Sequence, residues 1–285
     1  MKIIECPRDA MQGIKEFIPT AKKAAYINQL LKVGFDTIDF GSFVSVKAIP
    51  QLKDTAAVLE KLDLSSTQTK LLAIVANVRG AEDALSHEEI NAIGYPFSIS
   101  EMFQLRNTNK TIDDALNDLD TIKDLCLKKE RSLVTYISMG FGNPYNEEWS
   151  VEGVAEWVDR LRSFDLKIIS LSDTIGAAKP EDISYLFSTL NHLYPDVEIG
   201  AHFHSHPDKW YEKIEAAYKG GCKRFDGALK GFGGCPMAKD ELTGNIATEN
   251  IVQFLEEEGV KTGIDQDALQ EALIMANSIF PQGTK

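Results

Sequence analysis

The chain has 285 residues, 44% hydrophobic and 26% charged, which is enough for one large α/β barrel or two smaller domains and is not the composition of a disordered protein. Its 43 acidic and 30 basic residues leave a net charge of −13; such a surface repels phosphate backbones, and no cluster of Lys and Arg with interleaved aromatics offsets it, so no nucleic-acid partner is expected. No apolar run reaches the ~20 residues of a membrane span, Met1-Lys2-Ile3-Ile4-Glu5 lacks the basic and apolar parts of a secretory leader, and the four cysteines show no Cys-x-x-Cys pairing, so the reading is a cytoplasmic protein with reduced thiols and no membrane contact.

Short β-branched runs alternate with longer segments of helical period, the pattern of stacked βα units around a parallel sheet. Lys2 to Glu5 reads as the first strand and Thr20 to Val33 as the first helix. Thr37 to Phe40 is the second strand, with a helix over Leu52 to Leu62; Leu71 to Val75 is the third, with a helix near Ala81 to Ser86. Glu89 to Ser98 fits a fourth strand with Pro96 near an edge. Thr111 then caps a helix with Asp113 and Asp114 in its first turn and an apolar stripe of Leu116, Leu119, Ile122 and Leu125. Leu133 to Ser138, Lys167 to Leu171, Val197 to His202 and Arg224 to Gly227 complete eight strands, with helices over Val151 to Phe164, Pro180 to Leu193 and Trp210 to Lys219 between them. Helical patterns over Thr248 to Glu257 and Asp265 to Ser278 follow.

Eight units in about 230 residues match a TIM (β/α)8 barrel of ~250 residues. The competing fold is a doubly wound open sheet, but no Gly-x-Gly-x-x-Gly follows the first strand. The expectation is a single catalytic domain over 1–285, with the barrel over about 1–227 and a lid loop plus extra helices over 228–285.

In such a barrel the chemistry collects at the carboxyl ends of the strands. There stand Arg8, Asp9 and Gln12 after the first strand, Asp39 and Ser42 at the second, and Ser170, Asp173 and Thr174 at the sixth. His202 and His204 end the seventh, and alternation along a strand puts them on one face. Two imidazoles on one wall with a nearby carboxylate suit a divalent cation such as magnesium or manganese that keeps open positions for substrate oxygens. Asp9, His202 and His204 are therefore metal-ligand candidates, with the amide oxygen of Asn245 as a fourth. Arg8 is a fixed positive charge able to hold an enolate or carboxylate; its other reading is a barrel-end ion pair with Asp39 or Asp173. In Lys230-Gly231-Phe232-Gly233-Gly234-Cys235-Pro236, glycines flank a thiol on a flexible loop, the composition of a lid that excludes water.

Taken together, Pro7-Arg8-Asp9-x-x-Gln12, Ser42-Phe43-Val44-Ser45, Ser170-x-x-Asp173-Thr174-Ile175-Gly176, His202-x-His204, Gly233-Gly234-Cys235-Pro236 and Gly244-Asn245-x-Ala247-Thr248-Glu249 resemble the hydroxymethylglutaryl-CoA lyase family of metal-dependent TIM-barrel lyases and aldolases. The resemblance runs from Pro7 to about Gly263. It implies a CoA thioester substrate cleaved by a retro-Claisen reaction, metal held by Asp9, His202, His204 and Asn245, Arg8 on the enolate, Asp9 or His202 as base, and Cys235 as the thiol needed for turnover. Gln12, Asp39, Ser42, Ser170, Asp173 and Thr174 at the strand ends are the expected substrate contacts, while the resemblance further implies CoA phosphates near Arg106 and Asn107 and a homodimer. The chain departs from the family pattern at Ser205-His206-Pro207-Asp208, where Asp-Thr-x-Gly is usual, and at Asp39, where Glu is usual. A related aldolase or Claisen-type synthase acting on a 2-oxo acid, and a metal- or metabolite-binding barrel without turnover, are the other readings.

Overall fold

The computed structural model describes residues 1–234 and 243–280. Eight strands, β1 (Lys2–Glu5), β2 (Thr37–Ser42), β3 (Lys70–Ile74), β4 (Ala92–Ser98), β5 (Ser132–Ser138), β6 (Ile168–Asp173), β7 (Glu198–Ser205) and β8 (Arg224–Gly227), pair in parallel in sequence order. β8 pairs with β1 and β6 with β7, so the sheet closes on itself. With helices around it this is the TIM barrel. A two-residue strand, β9 (Gly244–Asn245), adds antiparallel to the end of β7, with Asn245 opposite His204.

The helices are α1 (Pro7–Gln12), α2 (Thr20–Leu30), α3 (Thr55–Leu59), α4 (Val78–Leu85), α5 (Glu101–Thr108), α6 (Ile112–Lys128), α7 (Val151–Ser163), α8 (Pro180–Leu193), α9 (Trp210–Lys219), α10 (Thr248–Glu257) and α11 (Gln266–Ile279). None of the described helices is long and apolar enough to cross a membrane. α6 begins as its sequence dictates: the Thr111 hydroxyl accepts from the Asp114 N–H at 3.1 Å, and the Asp114 carboxylate accepts from the Thr111 N–H at 3.3 Å.

Alternation along each strand sorts side chains into two populations. Outward residues such as Ile38, Phe40, Ile93, Tyr95, Ile169, Phe203 and Phe225 join the main core beneath the helices. Inward residues Leu72, Ile74, Ala92, Val134 and Tyr136, with Ile168 against them, form a separate apolar plug on the β3 to β6 side. The opposite arc, β7, β8, β1 and β2, carries buried His202, His204, Arg224, Asp226 and Asp39. The barrel interior is thus half apolar and half ionic, and the ionic half faces the site.

Three local expectations change. The helix anticipated over 52–62 is a 3-10 turn at Pro50–Leu52 followed by the short α3, because the Thr55 hydroxyl is spent on the Leu52 carbonyl and the Ser42 N–H. Pro96 lies inside β4, where pairing with β3 ends at Gly94, so its missing N–H falls on the unpaired side. α1 and α5 were not anticipated, since each is too short to show an apolar period.

Candidate metal centre

α1 starts directly behind β1 with Pro7 at its first position, where the missing proline N–H costs nothing. Its helical spacing puts Arg8, Asp9 and Gln12 together. Arg8 Nε donates to Asp39 Oδ2 at 2.9 Å, and Nη2 donates to the same carboxylate. Arg8 Nη1 donates to Asp9 Oδ1 and to Gln12 Oε1, each at 3.0 Å, and Gln12 Nε2 donates to Asp9 Oδ1. Four of the five guanidinium N–H groups are therefore engaged, and the second N–H on Nη2 is uncommitted among the described residues. Of the two readings of Arg8, the Asp39 ion pair is formed, and it leaves one guanidinium N–H without a partner among the described residues. Burial pushes the Asp39 carboxyl up to about 6 against the pull of Arg8.

His204 Nδ1 lies 2.9 Å from the Thr174 carbonyl, which accepts its proton and leaves Nε2 as the bare nitrogen. That Nε2 is buried, has no hydrogen-bond partner among the described residues, and sits 3.9 Å from Asp9 Oδ2. An orphaned buried lone pair facing a carboxylate needs an explanation, and a bound cation supplies one. One ligand atom from each of Asp9, His202 and His204 lies within 4.8 Å of the others. Two imidazole nitrogens and a carboxylate fit a divalent metal. Burial alone raises the Asp9 carboxyl, but Arg8, then His204 and His202, outweigh it and hold it below the ordinary carboxylate value. Burial, reinforced by His202, pushes His204 down, toward the neutral form that offers a lone pair. Burial also opposes a charged His202, yet Asp226 overrides it and lifts that imidazole above its usual value.

Asn245 arrives from β9 beside this cluster, but its amide nitrogen faces in: Nδ2 donates to Asp9 Oδ2 and, at 2.9 Å, to the Phe232 carbonyl. Both partners are acceptors, which fixes that orientation. For the amide oxygen to serve as a ligand, the side chain has to turn over and release both contacts. Gly233 makes the close approach feasible; with φ +87°, a Cβ there would lie 2.7 Å from Asn245 Nδ2 and 2.8 Å from the Asp9 carbonyl.

The remaining predicted residues sort by what they touch. Thr174 orients His204 through its carbonyl and accepts the Met139 N–H through its hydroxyl. Asp173 is engaged elsewhere, accepting from Ala177 and Ala178 N–H groups and from buried Lys213 at 2.6 Å. The Ser42 hydroxyl donates to the Ile74 carbonyl, and the Ser170 hydroxyl is buried without a partner among the described residues. Arg106 and Asn107 stand on the exposed side of α5, Arg106 over the Tyr145 ring at 5.0 Å. Cys235 lies outside the described residues. Sequence reasoning missed Asp226 behind His202 and Lys213 behind Asp173; the signal for Asp226 was a pair of opposite charges two apart, Arg224 and Asp226, on one face of a short strand.

The family model described as HMGL-like matches residues 2–275. The chain belongs to the HMGL-like family. A hydroxymethylglutaryl-CoA lyase of Bacillus subtilis is 35% identical over 266 residues, covering 93% of this HMGL-like chain and 88% of the relative. Among solved structures, the HMG-CoA lyase of Brucella melitensis superposes with a TM-score of 0.90 at 30% identity, covering 97% of each chain. An HMG-CoA lyase of Acinetobacter baumannii in complex with coenzyme A and 3-methylmalate superposes with a TM-score of 0.87 at 30% identity, covering 98% of this chain and 90% of that one.

Proposed function

We propose that this protein cleaves 3-hydroxy-3-methylglutaryl-CoA, or a similar 3-hydroxyacyl-CoA, to acetyl-CoA and acetoacetate. The observation that carries the reading is the convergence of Asp9, His202 and the His204 Nε2, which has no hydrogen-bond partner among the described residues, beside a guanidinium pinned by Asp39. The lyases of similar sequence and the relative solved with coenzyme A support it.

Asp9, His202 and His204, with Asn245 after a side-chain turn, would hold a divalent ion such as magnesium or manganese, which would acidify the substrate hydroxyl and orient it. Asp9 or His202 takes the hydroxyl proton as the carbonyl forms. The adjacent carbon–carbon bond then breaks, and its electron pair becomes the acetyl-CoA enolate. The uncommitted Arg8 N–H donates to the enolate oxygen, where charge develops. The enolate carbon takes a proton delivered from the Cys235 side. Gln12, Asp39 and Thr174 act by orienting Arg8, Asp9 and His204, and Ser42, Ser170 and Asp173 line or brace the acyl pocket. Arg106 and Asn107 meet the CoA phosphates. Residues 1–285 work as one catalytic domain, a reading supported by α11, which packs on the first α/β unit through Asp265 N–H to the Val33 carbonyl and Gln29 to the Ala268 carbonyl. The enzyme is a cytoplasmic homodimer in this reading.

The test is acetyl-CoA release from 3-hydroxy-3-methylglutaryl-CoA by the purified protein with magnesium or manganese and a thiol reductant, beside His204→Ala. Release that requires metal and is lost in the variant is expected. No release by a protein that still binds the metal overturns the substrate assignment.

A further inference from the structure

Beside the Asp9 cluster, and sharing His202 with it, lies a second set of ligating groups, of which Cys6 and Asp226 have no part in the reaction above. Cys6 ends the chain's passage out of β1, its N–H donating to the Gly227 carbonyl of β8 at 2.8 Å. Asp226 of β8 is in register with Ile4 of β1 on one side and His202 of β7 on the other. One ligand atom from each of Cys6, His202 and Asp226 lies within 4.8 Å of the others, and all three residues are buried.

Two of these groups are underemployed. Asp226 is 2% exposed, and its Oδ1 has no hydrogen-bond partner among the described residues; the nearest cationic nitrogen, Arg224 Nε, is 3.7 Å away. Among the described residues, the Cys6 sulfur makes one long contact, 3.9 Å to the Ile4 carbonyl. His202 Nδ1 stands 3.3 Å from Asp226 Oδ2, which leaves Nε2 as the ring nitrogen for the Asp9 cluster. A sulfur, an imidazole nitrogen and a carboxylate oxygen are the donors that zinc and similar soft divalent ions select, whereas oxygen-rich magnesium sites do not use sulfur.

We propose that Cys6, His202 and Asp226 form a second, thiophilic metal site, which binds a soft divalent cation such as zinc or cadmium and inhibits the enzyme by taking His202 away from the Asp9 cluster. On binding, the Cys6 S–H bond breaks, its proton goes to solvent and a sulfur–metal bond forms. A neutral imidazole has one bare nitrogen at a time. Coordination through Nδ1 moves the ring proton to Nε2, so His202 serves one site or the other. Water fills the remaining coordination position. The inhibitory half of the proposal rests on the lyase reading; the binding half does not.

The experiment titrates cadmium chloride into metal-free full-length protein and follows the ultraviolet cadmium–thiolate charge-transfer band. One equivalent of band is expected in the wild type and in Cys235→Ser, and no band in Cys6→Ser, which still binds manganese. In the lyase assay cadmium inhibits the wild type in competition with manganese. Loss of a direct ligand in Cys6→Ser weakens that inhibition by at least roughly tenfold, the lower end of what even outer-shell partners contribute to metal affinity. Should Cys6→Ser not fold, Cys6→Ala and Asp226→Asn are read the same way, the first losing the band and the second weakening it. A band that survives in the Cys6 variants, disappears in Cys235→Ser, or never forms overturns the site. A Cys6-dependent band in a protein that cleaves no hydroxyacyl-CoA leaves the site standing and overturns the lyase reading.

Discussion

At the scale of single residues, the candidate centre is a matter of which N–H and lone pair each side chain has left to give. Asp39 occupies two guanidinium N–H groups of Arg8 and Asp9 with Gln12 occupies two more. Replacing Asp39 by Asn removes the charge that offsets a buried guanidinium, a change that costs about 3–5 kcal/mol when a buried pair loses one partner. Asp39→Asn is therefore expected to lower the chemical denaturation midpoint and, if Arg8 acts on the enolate as proposed, to reduce kcat more than it raises KM. Lys213 works from farther back. Its ammonium, 3% exposed, donates to Asp173, to the Gly176 carbonyl at 3.1 Å and to the His204 carbonyl at 3.0 Å, and so ties the turn that carries Thr174 to the strand that carries His204. Lys213→Met should weaken manganese binding in calorimetry by about tenfold or more, since the Thr174 carbonyl loses its hold on His204 Nδ1. Unchanged manganese affinity in a folded Lys213→Met protein would remove Lys213 from this account.

At the scale of elements, the segments flanking residues 235–242 are joined by one buried carboxyl. Glu5 of β1 accepts the Leu229 N–H at 3.0 Å and the Thr248 hydroxyl, and Glu249 accepts the Lys230 N–H at 3.0 Å. Burial pushes the Glu5 carboxyl from an ordinary 4.5 up to about 8, aided by the negative charge of Glu249 and only partly opposed by its two donors. A group with its folded value raised holds its proton more tightly in the folded state. Its stabilisation is complete below about 4.5 and is lost as pH climbs through about 8. The unfolding free energy of the wild type is accordingly expected to fall across that window relative to Glu5→Gln, by up to about 1.4 kcal/mol per pH unit, which chemical denaturation at a series of pH values measures. Parallel curves for the two proteins would show that Glu5 does not titrate there. The same scale contains a simpler check on α6, where loss of the Thr111 cap in Thr111→Ala should cost about 1 kcal/mol without altering metal binding.

At the scale of the whole molecule, the barrel brings β1, β2, β7 and β9 to a common point although Asp9 and Asn245 are 236 positions apart in sequence. A metal held by Asp9, His202 and His204 would link α1 to β7, and by binding the folded state it would stabilise it. Manganese at a hundred times its dissociation constant should add about 2.7 kcal/mol and raise the melting temperature by several degrees, with a chelator reversing the shift. Asp9→Asn should abolish the shift while leaving the barrel intact by circular dichroism.

Much of this was legible in the order of residues, because strand alternation and helical period are local properties. Strands such as Lys2 to Glu5 and Arg224 to Gly227, and the helices Pro180–Leu193 and Trp210–Lys219, coincide with the structure to the residue. The shared face of His202 and His204 followed from the two-residue repeat of a strand, and the position of Asp9 from the rule that barrel sites lie at the carboxyl ends. What sequence left open were the choices set by long-range contact. Only the closed barrel decides that Arg8 pairs with Asp39 and not Asp173, that Asp173 is taken by Lys213 from a helix 40 positions away, and that the Asn245 nitrogen, not its oxygen, meets Asp9. Only closure of β8 onto β1 and β7 puts Cys6 and Asp226 around one ring of His202. Local periodicity fixes which face a side chain takes, whereas hydrogen-bond partners are fixed by which strands the barrel makes neighbours.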